Sequence, residues 1–215
     1  MIRTRLTTTV ATTLAVVSRV ISGATVQWRC DPRAEGPRIY FGNHSSHLDF
    51  IFIWSALPAV LRRSVRPVAG RDYWEKGPVR RYLAGHAFHA VLIERPSAGS
   101  SHCLAAARAS IQRMADEIGE RHSLIVFPEG TRGLNGELGS FKSGLYHLSR
   151  LRPDAELIPV YLENLNRILP KGEMLPVPML SRVVFGPPLA TTIDEDKHEF
   201  LARARDALMQ LKAVQ

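Results

Sequence analysis

A histidine and an aspartate five residues apart, His44 and Asp49, lie in the run Gly42-Asn43-His44-Ser45-Ser46-His47-Leu48-Asp49-Phe50. An imidazole titrates near neutrality and takes a proton from a hydroxyl once its tautomer and orientation are fixed. A carboxylate on Nδ1 does this in serine-protease chemistry, and Asp49 reaches His44 if the intervening residues turn back. Two plainer readings stand beside this one. A histidine ahead of a helix also serves as a cap or surface residue, and His44, His47 and Asp49 carry metal-ligand chemistry. The metal reading lacks an HExxH pattern and an identifiable distant partner ligand.

A second chemistry-bearing stretch is Pro128-Glu129-Gly130-Thr131-Arg132-Gly133. Gly130 lets the backbone take unusual angles and approach a ligand closely. Successive backbone N–H groups in such a turn form an anion-binding concavity. Thr131 adds a hydroxyl, and Arg132 a fork that matches phosphate oxygens in pairs. Glu129 is out of place beside a phosphate, so its task is to hold Arg132 or a backbone amide, or to meet a substrate hydroxyl.

These residues need elements to hold them. Ile39-Tyr40-Phe41 is a short apolar run, so the chain reads as strand, sharp turn, then a largely apolar helix over Leu48–Leu61 with Pro58 near its end. Ser123–Phe127 is a buried strand leading into the Glu129 turn, and Ala90–Ile93 is another, ending at Glu94-Arg95. Val65–Ala69 reads as a strand within a basic stretch. Beyond it, residues 71–83 form an amphipathic helix interrupted at Gly77-Pro78, with Tyr73 and Trp74 interleaved among cations. That mixture suits a membrane interface or an anionic substrate lip. Ser100 or Ser101 caps a helix with Leu104, Ala107, Ile111, Met114 and Ile118 at helical spacing, ended by Gly119. A short helix spans Leu145–Leu151, and strands follow over 157–162 and 182–186. The chain closes with a helix whose start reads as a Thr192–Glu195 capping box and whose apolar face is Phe200, Leu201, Ala204, Leu208 and Leu211.

The 215 residues suit one domain with a substantial core, and 45% hydrophobic against 22% charged residues exclude disorder. A net charge of +8 and a pI near 10.0 favour an anionic partner: lipid headgroups, a phosphorylated substrate or nucleic acid. Cys30 and Cys103 are too few for a disulfide framework. Residues 1–30 contain Arg3, Arg5, Arg19 and Arg29 and no acid. The uncharged run Leu6–Ser18 is short and Thr-rich for a spanning helix, and no signal-peptide cleavage site follows. The stretch reads as a basic amphipathic helix in the membrane interface, or as an ordinary helix packed on the domain, ahead of a main domain over 31–215.

With both stretches in view, the chain resembles the glycerolipid acyltransferases, the PlsC-like lysophosphatidic acid acyltransferase family. Asn43-His44 with Asp49 is similar to the HxxxxD signature, and Phe127-Pro128-Glu129-Gly130-Thr131-Arg132 matches the family's FPEGTR motif letter for letter. Phe141-Lys142-x-Gly144, the proline-centred run Glu156–Tyr161 and Arg182–Pro188 also resemble later family blocks, so the likeness spans residues 38–190. The resemblance implies an α/β fold: a single domain with a mixed central sheet flanked by helices, both motifs at strand ends on one side, and an N-terminal membrane-associating helical segment. It implies acyl transfer from acyl-CoA or acyl-carrier protein to the hydroxyl of a lysophospholipid, foremost 1-acyl-glycerol-3-phosphate giving phosphatidic acid. His44 would be the general base, with Asp49 orienting it and no acyl-enzyme formed; the absence of a GxSxG elbow agrees. Arg71, Arg95, Glu129, Gly130, Thr131, Arg132 and Lys142 would bind substrate, with no metal or cofactor. The partners implied are an anionic membrane surface on the cytoplasmic face, and no nucleic acid.

One position departs from the family. A lysine usually follows the strand near residue 69, and Gly70-Arg71 stands there instead. Arginine and lysine are not equivalent at a phosphate site, so a lyso-aminolipid or another lipid alcohol is the alternative acceptor. A rival of another class is a basic membrane- or nucleic-acid-binding module without catalysis. It explains the charge, but leaves both motifs to coincidence and shows no nucleic-acid fold signature.

Overall fold

The computed structural model describes residue 13 and residues 25–33, 35–46, 49–94, 103–133, 138–164, 181–192 and 194–213. They form a single α/β domain around a seven-stranded mixed sheet. The strands are β1 (Thr25–Trp28), β2 (Arg38–Gly42), β3 (Val65–Gly70), β4 (Val91–Ile93), β5 (Ser123–Val126), β6 (Glu156–Glu163) and β7 (Arg182–Phe185), in the spatial order β1-β7-β6-β2-β5-β3-β4. From β6 across to β4 every neighbouring pair is parallel. β7 then runs antiparallel to β6, and β1 parallel to β7. The parallel strands therefore all end on one edge, where ligand-facing groups collect in open α/β sheets.

Burial on both faces explains the apolar strand sequences. All five residues of β2 are buried, and alternate residues feed two separate cores. Tyr40, Ile125, Ile158, Val160 and Phe185 pack on one face, and Ile39, Phe41, Leu124, Val126, Leu157 and Val184 on the other. The first core is covered by α1 (Asp49–Ala56), all eight of whose residues are buried, followed by α2 (Ala59–Arg62), α3 (Arg71–Trp74), α4 (Pro78–Tyr82) and a π-helical turn over Leu83–Ala87. The second is covered by α5 (Cys103–Ile118), α6 (Gly144–Leu151) and α7 (Lys197–Ala213).

Three local expectations change. Thr25–Trp28, read as part of an N-terminal helical segment, is an edge strand in which Thr25 and Gln27 are exposed while Val26 and Trp28 turn inward. Trp28 stacks on Phe185 with ring centroids 3.8 Å apart, which anchors the strand. Residues 1–12 and 14–24 lie outside the described residues. Pro58 divides the expected 48–61 helix into α1 and α2, because it cannot donate its backbone N–H. The expected interruption at Gly77-Pro78 falls between α3 and α4, with Gly77 at the start of α4. The start of α7 is capped by Asp196, whose Oδ1 accepts the His198 amide at 2.7 Å. The Glu195 carboxylate accepts the Thr192 backbone N–H and is held by Arg203 at 2.6 and 2.8 Å, but α7 begins only at Lys197, so this pair does not open the helix. Gly119, at φ +47°, ends α5 as expected. The Ser100 and Ser101 caps lie outside the described residues. Among the described residues no helix is long and apolar enough to cross a membrane.

Candidate active site

At the end of β2 the backbone must leave the sheet in a tight space. A Cβ on Gly42 would meet the Val160 carbonyl oxygen at 3.0 Å, so the position favours glycine. The next residue, Asn43, stays tied to β6 through its side chain. Its Nδ2 donates to Leu162 O at 2.9 Å, and its Oδ1 accepts from Leu162 N at 2.8 Å. The carboxamide thus mimics one more residue of strand pairing while the main chain turns toward β5.

His44 follows, and its ring lies nearly parallel to Phe127, centroids 4.4 Å apart. Nδ1 is 2.9 Å from Asp49 Oδ2. The side chain of His44 is 14% exposed and that of Asp49 is fully buried. Asp49 opens α1, and its Oδ2 also accepts the backbone N–H groups of Ser45 at 2.6 Å and Ser46 at 2.8 Å. The turn from His44 to Asp49 is therefore wound around one carboxylate. With Nδ1–H donating to Asp49, the imidazole's Nε2 carries the lone pair and is the proton acceptor.

The Glu129 turn reaches His44 from the neighbouring strand. Glu129, 5% exposed, accepts the His44 amide on Oε1 at 2.7 Å and the Gly139 amide on Oε2 at 2.8 Å. Of the three tasks open to Glu129, the structure assigns the backbone-amide one. Gly133 N–H donates to His44 O at 2.9 Å, so both halves of the His44 peptide group are held by this turn. Gly130 sits at φ +67°, and a Cβ there would meet the Lys142 side chain at 3.0 Å. Lys142 is fixed by its backbone N–H, which donates to Pro128 O at 2.8 Å. The fold thereby brings His44, Asp49, Glu129, Gly130 and Lys142 together, with Thr131 and Arg132 exposed on the same turn.

Arg71 starts α3 directly after β3, on the same edge of the sheet, but is committed locally. Its Nη1 lies 2.6 Å from Glu75 Oε1, and its Nε is buried with no hydrogen-bond partner among the described residues. Arg95 and His47 lie outside the described residues. Among the described residues no group of three or more His, Cys, Asp or Glu side chains is placed to hold a metal. Two contributors escaped sequence reasoning. Gly139 packs so closely that a Cβ would come within 2.9 Å of Glu129 Oε2, and nothing local in Leu138-Gly139-Ser140 signals this. Asn43 was visible only as the residue preceding His44.

Comparison with known proteins places the chain in a family. The Acyltransferase family model matches residues 24–163. The chain belongs to the Acyltransferase family. That match takes in β1, the His44 turn and the Glu129 turn, and ends with β6. Among relatives, the 1-acyl-sn-glycerol-3-phosphate acyltransferase of Limnanthes douglasii is 30% identical over 165 residues, 73% of this chain and 53% of that protein. The same enzyme from Limnanthes alba shows the same figures, and one from Chlamydomonas reinhardtii is 26% identical over 153 residues. The chain spans about half the length of the two Limnanthes relatives. The crystal structure of PlsC, the 1-acyl-sn-glycerophosphate acyltransferase of Thermotoga maritima, shares the fold. It superposes with a TM-score of 0.71 at 18% identity, covering 97% of this chain and 80% of that one.

Proposed function

We propose that the protein transfers a fatty acyl group from an acyl thioester, acyl-CoA or acyl-carrier protein, to the free hydroxyl of a lysophospholipid, foremost 1-acyl-glycerol-3-phosphate. The observation that carries this reading is the His44 Nδ1–Asp49 Oδ2 contact of 2.9 Å, set beside the Glu129–Arg132 turn in a member of this family. Relatives named for that reaction support the choice of acceptor.

In this mechanism Nε2 of His44 takes the proton of the acceptor hydroxyl as its oxygen attacks the thioester carbonyl. Asp49 keeps the ring oriented and balances the imidazolium that forms. The tetrahedral intermediate collapses by breaking the C–S bond, and the departing thiolate recovers the proton from His44. The products are the ester and the free thiol, and the sequence of steps calls for no cofactor. Arg132 and Lys142 supply cations for the acceptor phosphate beside Gly130 and Thr131, with Arg71 on the same edge of the sheet and Arg95 as further cations for it. Membrane association, on the cytoplasmic face, would give access to both lipid substrates.

The test is acyl transfer from a long-chain acyl-CoA, and separately from acyl-carrier protein, to lysophosphatidic acid in mixed micelles. Turnover lost in His44→Ala supports the assignment; full activity in that variant sinks it. The Arg71–Glu75 pairing favours a second reading, in which Arg71 is withdrawn from the phosphate and the acceptor is another lyso-lipid. A panel of lyso-acceptors, aminolipids included, separates the two.

A further inference from the structure

The loop joining α3 to α4, together with the first turn of α4, carries surface chemistry that the proposed reaction does not use. Six consecutive residues, Lys76 through Arg81, are exposed. At their centre lies Gly77-Pro78-Val79, whose side chains form no hydrogen bonds, and Val79 is 69% exposed. Cations flank this apolar tip on both sides. Arg80 is held in place over the Tyr73 ring at 4.2 Å, and Arg81 donates to Glu75 O at 3.2 Å. Glu75 is paired with Arg71, which leaves Asp72 as the exposed acid of the segment. Behind the tip, Trp74 packs edge-on against Phe50, centroids 5.4 Å apart, and Phe50 directly follows Asp49. The loop is thus exposed, preordered and mechanically joined to the His44–Asp49 turn.

We propose that this loop is a docking face for an anionic lipid surface. The inference rests on the lipid-acylation reading and adds to it the part of the fold that meets the bilayer. Apolar side chains at a tip with cations set back from it match the depth profile of an interface, where Val79 and Pro78 reach the acyl boundary and Lys76, Arg80 and Arg81 meet headgroup phosphates. Tyr73 and Trp74 belong to the residue types that settle at that level. An acidic carrier protein would also be attracted by the cations, but the apolar tip ahead of them favours the lipid surface. Because α3 begins at the C-terminal end of β3, docking here turns the edge that carries His44 toward the membrane.

The experiment is cosedimentation of the full chain with vesicles of phosphatidylglycerol and phosphatidylcholine, and with phosphatidylcholine alone, for wild type, Arg80→Ala/Arg81→Ala and Val79→Ser. Circular dichroism melts establish that each variant folds. The double variant is expected to bind anionic vesicles roughly thirtyfold more weakly, from the attraction of two arginines near such a surface, with the difference shrinking at high salt. Val79→Ser should weaken binding at every salt concentration. Acyl transfer to a monomeric, water-soluble acceptor should stay at wild-type rate in both. Unchanged vesicle binding in the folded double variant overturns the proposal. So does intact vesicle binding combined with lost binding to acyl-carrier protein, which would assign the face to that partner. Should no acceptor be acylated while vesicle binding still depends on Arg80 and Arg81, the reaction fails and the docking face stands.

Discussion

Replacing Glu129 by glutamine should damage the site without touching any group that meets substrate. The carboxylate accepts two backbone N–H donors, one on each oxygen, at 2.7 and 2.8 Å. Glutamine offers one oxygen and one NH2, so one buried amide must face another donor. An unsatisfied buried N–H costs about 1–3 kcal/mol, and losing the charge on the surviving bond removes about half of its strength. A loss of about 2–4 kcal/mol in unfolding free energy follows, measured by urea denaturation. The His44 amide is one of the two donors, so kcat should fall roughly 10- to 100-fold as the ring moves, with KM for the acceptor little changed. Gly139→Ala perturbs the same carboxylate from the other side, because its Cβ would lie 2.9 Å from Oε2. The two substitutions should therefore be less than additive in a double-mutant cycle. Wild-type stability in Glu129→Gln, with the loss confined to KM, would refute the reasoning and return Glu129 to substrate contact.

Asp49→Asn should lower kcat by about 10²- to 10⁴-fold through loss of the Nδ1–H tautomer, visible as a changed acidic limb of the pH–rate profile. Asn43→Ala leaves Leu162 N–H and C=O without their partner and should cost about 2–3 kcal/mol in urea denaturation; Asn43→Asp, which keeps the acceptor and loses the donor, should not rescue it. Burial, followed by the charge of Arg66, holds the His122 imidazole below its ordinary 6.5. The unfolded chain then binds that proton first, so this contribution is complete above pH 6.5 and drains away as pH falls toward the folded value. His122→Gln should flatten that limb of the stability–pH curve. Asp196→Ala should lower the thermal midpoint by removing the cap of α7, a loss of about 1 kcal/mol.

The His44–Asp49 pair and the Glu129 turn were legible because each is a short run marked by its residue types. His44 and Asp49 need only a local turn to meet, and Gly130 with Arg132 needs only a strand before it. Strands with strong apolar patterns, such as Ser123–Val126 and Glu156–Glu163, were equally readable. What escaped depends on contacts distant in sequence. Thr25–Trp28 becomes a strand because β7 offers a free edge, which its four residues do not announce. Glu129 had three plausible tasks, and only the position of the His44 and Gly139 amides chooses among them. The Thr192–Glu195 pair does not open α7 because the helix starts at Lys197, where Asp196 supplies the cap. Arg71 reads as a substrate cation, and its pairing with Glu75, one turn on, is a contact that only the fold displays.

The double hydrogen bond between Asn43 and Leu162 spans 119 residues of chain, and the Glu129 bond to the His44 amide spans 85. Contacts of that range close large loops and belong to the slow end of folding. During synthesis, therefore, a chain that has emerged through the Glu129 turn has both motifs in hand but still lacks the strand that fixes Asn43. Asn43, the residue before the histidine, is tied only when β6 adds to the sheet beside β2, and the antiparallel pairing of β6 with β7 follows from residues made later still. The geometry of the site is thus coupled to completion of the sheet: a truncated or half-folded chain carries His44 and Asp49 without the strand that ties the residue before them.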